Sequence, residues 1–468
     1  MKIRALSFVF LLIISAFAIS GNNFARAQIP NEYTSPNDGS ILTLLEISAD
    51  SPSTVISDGT YHTIRAKITI EPADTLIINA GEKLSFEPYV PSWAQPQIVV
   101  KGRIFINGTE TQPVVLTRTE FTSSLWLGIQ LNGRYSTFHN SSRISNATFE
   151  YAGDASNFGL VLNCSSATVE NCTFRNCGSS TTLGGALFCL ASNCQVRDCN
   201  FVGNCFSIRL EDCYDSSITN CSFSNTTFGF ADIFYSKISF YNCTFDNASI
   251  AINAVFSNIS MLKTYLKSDY GINLENSTLH IENSTIVSIE STSLSFILQQ
   301  NSVVDSLDSI FDKNKVSIVD ANSVVNVKWH TSFYTYDEYG NPFPEVELLV
   351  TSNQSEISLF TNTGPSALAI LEIQEYKLMN ANEFYYPPYT VKAWKNTGSD
   401  NFTSNNIFVP NCPSDISLTM RALEPNVTII KNSLARYAIP GDEVNFVVYY
   451  NNTGGASSYD VYINDTLP

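Results

Sequence analysis

Side chains able to do chemistry are thinly spread along this 468-residue sequence. The densest charged group is Arg197, Asp198, Arg209, Glu211, Asp212 and Asp215. Carboxylates gathered near guanidinium groups have two catalytic uses on a glycan. They can bind calcium beside a basic residue that removes a sugar proton, or two acids can span a glycosidic bond. The same six residues also read as a solvated surface with local Arg–carboxylate pairs, and that is the preferred reading. The only histidines are His62, His139, His280 and His330, and the chain holds no Asp-Asp pair and no Gly-His-Gly string. The expectation is therefore no catalytic residue and no cofactor, with calcium the one ion this group would take. Trp93, Trp126, Tyr235 and Tyr241 are the aromatics that would stack on sugar rings if they are exposed.

Cysteine is the other reactive type, and ten of the 11 fall between Cys164 and Cys243. Cys172, Cys199, Cys221 and Cys243 each sit one residue into a recurring phrase. A second column is expected from Cys164, Cys189 and Cys213 and a third from Cys177 and Cys205, with Cys194 and Cys412 standing alone. Three readings stay open: stacked free thiols acting as small hydrophobes, disulfides between neighbouring strands, and a metal site. The first is preferred. The third ranks last, because the spacing is that of whole repeats rather than C-x-x-C and no His lies among these cysteines.

The element that must position these residues is a repeat. Its phrase reads NATF at Asn146, NCTF at Asn171, DCNF at Asp198, NCSF at Asn220, NCTF at Asn242 and NSTI at Asn283, with degenerate copies near Thr264 and Ser309. The starts lie about 20 to 27 residues apart, the length of one coil of a parallel β-helix. Between them run alternating strings such as Ser207-Ile208-Arg209-Leu210, Ile250-Ala251-Ile252-Asn253 and Gly271-Ile272-Asn273-Leu274, which predict strands with one buried face. Phe149, Phe174, Phe201, Phe223 and Phe245 should stack as an interior column. Upstream, Leu76-Ile77-Ile78, Ala80-Gly81, Ile98-Val99-Val100 and Gly102-Arg103-Ile104 give strand, tight turn, strand. Over residues 60–325 the chain resembles the right-handed parallel β-helix family of surface proteins, a likeness specific for fold rather than activity.

Downstream, strands at 325–329, 332–336 and 347–350 flank the turn Glu338-Tyr339-Gly340-Asn341-Pro342. GNPFPEVEL and YYPPYTVKAW resemble carboxypeptidase-regulatory-like sandwich modules. From Pro425, Pro440-Gly441-Asp442, Asn452-Thr453-Gly454 and Asp465-Thr466-Leu467-Pro468 resemble the Ig-like repeat of archaeal and bacterial surface proteins, here expected to be incomplete.

Lys2 and Arg4, an apolar run over residues 5–19 and Ala25-Arg26-Ala27 have the layout of a secretory signal peptide, with Gln28 the expected mature start. No later stretch is apolar enough for a membrane span of about 20 residues. A net charge of -17 with 26 Lys plus Arg excludes a nucleic-acid partner. Sequons stand at Asn107, Asn140, Asn146, Asn163, Asn171, Asn220, Asn225, Asn242, Asn247, Asn258, Asn276, Asn283, Asn353, Asn401, Asn426, Asn451 and Asn464.

The sequence thus predicts an all-β chain: signal peptide 1–27, N-terminal segment and cap 28–59, right-handed parallel β-helix 60–324, β-sandwich module 325–422 and Ig-like module 423–468. The expected function is a non-catalytic, secreted or cell-surface scaffold or adhesin meeting other surface proteins, cells or polysaccharide. A polysaccharide lyase or other glycan-active β-helix enzyme and a surface-layer lattice subunit are the alternatives.

Overall fold

A computed structural model describes residues 31–454 apart from 88–95, 120–123, 136–141, 154–156, 166, 180–183, 290–292, 355–356, 381, 399–400, 434–442 and 444. The signal-peptide layout, Trp93, His139, Asn140, Asn464 and the Pro-Gly-Asp and Asp-x-Leu-Pro phrases lie outside the described residues.

The repeat folds as a right-handed parallel β-helix with three faces. One coil passes from a back-face strand, Gln195–Arg197, to a short-face strand, Asn200–Val202, to a long-face strand, Phe206–Glu211, and returns at Ser216–Thr219. In two coils the short and long strands run on without interruption, as Ser222–Phe234 and Thr244–Val255, which merges those two faces into one 21-stranded sheet. The back face is a separate sheet that continues into the C-terminal region.

The phrase beginning with Asn explains the corner between back and short faces. Asn171, Asp198, Asn220 and Asn242 have φ of 52°, 54°, 54° and 51°. This left-handed region is one that Asn and Asp tolerate better than most residues, because their side chains bond locally. Each corner N–H donates to a carbonyl of the next coil, as from Asp198 to Thr219 (3.0 Å) and from Asn220 to Tyr241 (2.9 Å). The next residue points inward, the one after outward and the fourth inward. The fourth forms the expected column: Phe149, Phe174, Phe201, Phe223 and Phe245 stack at 4.8, 4.9, 4.7 and 4.6 Å between ring centroids.

The inward second residue forms the first cysteine column. All eleven cysteines are free thiols, and Cys172, Cys199, Cys221 and Cys243 are buried. Cys199 Sγ donates to the Arg197 carbonyl (3.1 Å) and accepts from the Cys172 N–H (3.4 Å). Farther along, Ser284 Oγ likewise donates to the Glu282 carbonyl (2.8 Å) and accepts from the Thr264 N–H (3.0 Å). Thiol and hydroxyl therefore do one job at one position.

The second and third columns do not form. Cys164 is itself a left-handed corner residue (φ 52°). Cys189 is a strand residue in register with Leu162 and Leu210. Cys213 follows the corner residue Asp212, and its N–H donates to Ser236 Oγ (3.0 Å). The position facing Cys177 is Asn204, whose Oδ1 accepts the Cys177 N–H (2.9 Å), so Cys205 falls one residue late. Cys194, expected to stand alone, sits against Cys189 within the same coil. Coil length is the reason: equivalent residues are 27 apart from Cys172 to Cys199 but 22 apart from Asp198 to Asn220, so even spacing in sequence crosses the register.

At the N-terminal end the helix Leu44–Asp50, capped by Thr43 and Glu46, buries Leu44 and Ile47 against the first coils. At the other end Val324–Tyr336 pairs parallel with Val303–Leu307 of the preceding coil through its first residues and antiparallel with Leu368–Met379. Its final residues run parallel to Ser414–Thr419. The boundary expected at 324/325 therefore falls inside one continuous strand. A second core of Phe333, Leu348, Val350, Ile373, Tyr389 and Leu418 lies between this sheet and the five-stranded one that contains Glu347–Ser352 and Tyr389–Asn396. Val427–Ser433 and Phe446–Asn452 form a two-stranded antiparallel sheet. Among the described residues no helix is long and apolar enough to cross a membrane.

Two substitutions separate the roles of the inner columns. Phe201→Ala should lower the unfolding free energy by about 3–5 kcal/mol through the cavity it opens. Cys199→Ser should change it by no more than about 1 kcal/mol, because the hydroxyl keeps both hydrogen bonds. Urea unfolding followed by circular dichroism measures both.

Candidate functional site

The six charged residues read from the sequence divide between two corners and two faces. Arg197, on the back face, is turned to Glu170 of the preceding coil, its Nε 2.7 Å from Oε2, while Arg143 binds the other carboxylate oxygen. Glu170 is only 2% exposed. Burial alone would raise its pKa, but the hydrogen bonds and charges of Arg197 and Arg143 outweigh burial and hold the carboxyl below its ordinary value. Asp198 is a corner residue that accepts the side-chain amide of Asn220 (3.0 Å), which in turn accepts that of Asn242 (2.9 Å). Asp212 occupies the corner between long and back faces, with φ of 54°. Asp215 follows it, exposed, at the entry to the back face. Glu211 ends a long-face strand, 3.5 Å from Arg209. Among the described residues no group of three or more His, Cys, Asp or Glu is placed to hold a metal ion.

What the fold does bring together is a row on the long face. Arg209, Asp232, Asn253 and Asn273 are in register on successive coils, facing out. Asn253 Nδ2 donates to Asp232 (3.4 Å) and Asn273 Nδ2 to Asn253 (2.8 Å). The Arg209 guanidinium lies 5.6 Å from the Phe188 ring centroid and 5.1 Å from that of Phe234, and its buried Nε has no hydrogen-bond partner. Burial raises the pKa of Asp232, against the opposing effects of the Asn253 hydrogen bond and the Arg209 charge. Alongside runs an apolar flank. Phe206 and Phe228 stack at 5.4 Å, and Ile250 and Tyr270 continue along a hollow of about 310 Å³. Planar hydrogen-bonding groups beside an apolar strip match the two surfaces of a sugar ring.

Of this row the sequence singled out only Arg209. Asp232, Asn253 and Asn273 are about 20 residues apart, with no local motif to join them. Their signal was the single outward polar residue in each alternating string, such as Asn253 in Ile250-Ala251-Ile252-Asn253.

The aromatic candidates also sort by position. Trp126 is not exposed: it is fully buried, stacked on Phe86 at 3.8 Å, and its indole N–H donates to the Glu150 carbonyl (2.9 Å). Phe86 offers it a flat partner within the core, and the Glu150 carbonyl satisfies its one polar atom there. Tyr235 and Tyr241 are exposed. Tyr235 stacks on Phe256, and Tyr241 lies under the Lys263 ammonium at 5.6 Å.

Residues 102–261 match the family model for a right handed beta helix region. No curated protein matches the chain. Among solved structures, the periplasmic alginate epimerase AlgG is similar at 8% identity over 60% of this chain and 84% of that one, with a TM-score of 0.39. The gp42 tailspike of an Acinetobacter phage is similar at 10% identity over 92% of this chain and 87% of its own, with a TM-score of 0.36. These likenesses carry no residue's role across.

The Glu170 clamp makes stability depend on pH. Its folded pKa is depressed below 4.5, so its contribution is complete above that value and is lost as pH falls through the folded pKa. Glu170→Gln should lower stability by about 1–3 kcal/mol at pH 7. The gap to the unsubstituted chain should narrow below pH 4.5, where Glu170 itself takes up a proton. Thermal unfolding between pH 3 and pH 7 tests this.

Proposed function

We propose that the chain is an exported, non-catalytic surface protein whose β-helix displays its outward faces to neighbouring surface proteins, cells or polysaccharide. The observation that carries this reading is the use to which the charged residues are put. Arg143, Glu170 and Arg197 tie three coils together, Arg175 ties to Glu150, and Asp198 heads an amide ladder. Side chains so engaged stiffen a display surface and are not poised over a substrate. Export is supported by the signal-peptide layout of residues 1–27, with 28–59 as the cap and 60–324 as the solenoid. The strings GNPFPEVEL and YYPPYTVKAW support a carboxypeptidase-regulatory-like sandwich over 325–422, and the phrases after Pro425 support an Ig-like repeat of archaeal and bacterial surface proteins over 423–468, both read as spacers from the envelope. A surface-layer lattice subunit would use the same display with self-association as its mark.

One observation favours a second reading, a polysaccharide lyase or other glycan-active enzyme. Asp232 combines a raised pKa with a guanidinium in the same row and an apolar strip beside it. A carboxyl whose pKa burial raises, set beside a guanidinium, is the kind of group that general acid work uses.

A screen of the purified chain on acidic polysaccharides, with and without calcium, separates the readings through the absorbance of unsaturated product. The display reading expects no turnover. Turnover abolished by Asp232→Asn or Arg209→Ala would replace it with the enzymatic one. Folding does not confuse the result. Since the folded pKa of Asp232 is raised, ionising it opposes folding as pH rises above 3.8, so Asp232→Asn should unfold at pH 7 no more easily than the unsubstituted chain.

A further inference from the structure

We propose that Asn276 carries an N-linked glycan whose first sugar ring packs on Phe256, supplying the next rung of an aromatic column that the protein leaves unfinished. The proposal rests on the export reading above, because the glycan donor is met only along an export route.

The column stands at the corner between long and back faces, where each coil places one residue in the left-handed region. Asp212, Tyr235, Phe256 and Asn276 hold this position on successive coils, with φ of 54°, 48°, 49° and 45°. An aromatic residue gains nothing from that conformation, which costs on the order of 1 kcal/mol for a side chain without local hydrogen bonding. Tyr235 and Phe256 nonetheless occupy it, 50% and 44% exposed, with their rings parallel at 5.2 Å. Tyr235 covers one face of Phe256. On the other side the next rung is Asn276, whose side chain is too small to cover a ring. A shallow hollow of about 360 Å³ runs along the corner past both rings, lined by Tyr235 and Phe256 together with Lys237, Asn258, Asn276 and Thr278.

Asn276-Ser277-Thr278 is a sequon, and its geometry is open. Asn276 and Thr278 are exposed, while Ser277 is turned inward with its hydroxyl donating to the Glu275 carbonyl (2.8 Å). At three other corners the sequon asparagine is tied to a neighbouring coil. Asn220 Nδ2 donates to Asp198, Asn242 Nδ2 to Asn220, and Asn247 Nδ2 to Asn225 (2.9 Å). Those amides are engaged with the side chain one coil away.

The chemistry is a redox-neutral transfer from a lipid-linked oligosaccharide pyrophosphate. The Asn276 Nδ2–C1 bond forms, the bond from C1 to the phosphate oxygen breaks, the lipid pyrophosphate leaves and one Nδ2 proton goes to a base of the transferase. The sugar's C–H face then meets the free face of Phe256, and its hydroxyl edge meets Asn258 and Thr278.

The test is the full chain secreted from a eukaryotic host, with site occupancy read by glycopeptide mass spectrometry and thermal midpoints compared for the unsubstituted chain, Asn276→Gln, Phe256→Ala and the double variant. Asn276 should be occupied. Asn276→Gln should lower the midpoint by about 2 °C. Phe256→Ala should lower it in the glycosylated chain, with no further loss when Asn276→Gln is already present. The same four chains made in a host without N-glycosylation should show no coupling between the two positions. An empty Asn276 beside other occupied sequons overturns the proposal alone, as do additive effects in the glycosylated chain. A chain retained inside the host with every sequon empty overturns the export reading with it.

Discussion

One hydrogen bond sets the geometry on which the solenoid depends: the N–H of a left-handed corner residue donating to a carbonyl of the next coil. A strand can turn through a single residue only if that residue accepts a positive φ, and the turn persists only if the exposed amide is satisfied. Asn171, Asp198, Asn220 and Asn242 meet both conditions, bonding to carbonyls one coil on. Fixing the corner fixes the phase of the next strand, so that inward and outward positions repeat without drift. The phenylalanine stack, at 4.6 to 4.9 Å, is a consequence of that phase.

The cysteines obey the same logic. A thiol behind the corner donates to the carbonyl two residues back and accepts an N–H from the neighbouring coil, as Ser284 does with its hydroxyl. Sulfur adds apolar bulk to the interior that a hydroxyl does not. Burial pushes the thiols of Cys177, Cys213 and Cys243 up to about 12, which leaves them protonated and unreactive near neutrality. Density of cysteine here reflects packing.

What was legible in the sequence was whatever the corner holds in fixed phase over three or four consecutive residues. The Asn corner, the Cys172–Cys243 column and the Phe column belong to that set. Features reached across a loop of variable length were not legible, which is why Cys164, Cys189 and Cys213, evenly spaced in sequence, occupy three different places in their coils. Trp126 failed for another reason: composition cannot say which face of an opening coil a tryptophan takes, and Phe86 decided it. The candidate carboxylates near Arg197 and Arg209 looked like a cluster because they are close in sequence, whereas a coil spreads neighbouring residues around its perimeter.

That spreading has a general consequence for where activity can reside in such a fold. Each coil contacts only its neighbours, so an outward site is assembled from single residues contributed by successive coils. Arg209, Asp232, Asn253 and Asn273 are such a set, and so are Tyr235, Phe256 and Asn276 at the corner. Neither row leaves a contiguous motif, and neither is required by the interior, since the inward positions beside them are filled by Ile208, Ala231, Ile252 and Ile272. Outward rungs can therefore change one at a time while the column within stays intact. An amide ladder that ties its own donors together is the default occupant of such a row. Where a row instead holds a half-buried carboxyl beside a guanidinium, or two exposed rings in a conformation that aromatics avoid, the interior does not require it, and the rung is free to serve the outer surface.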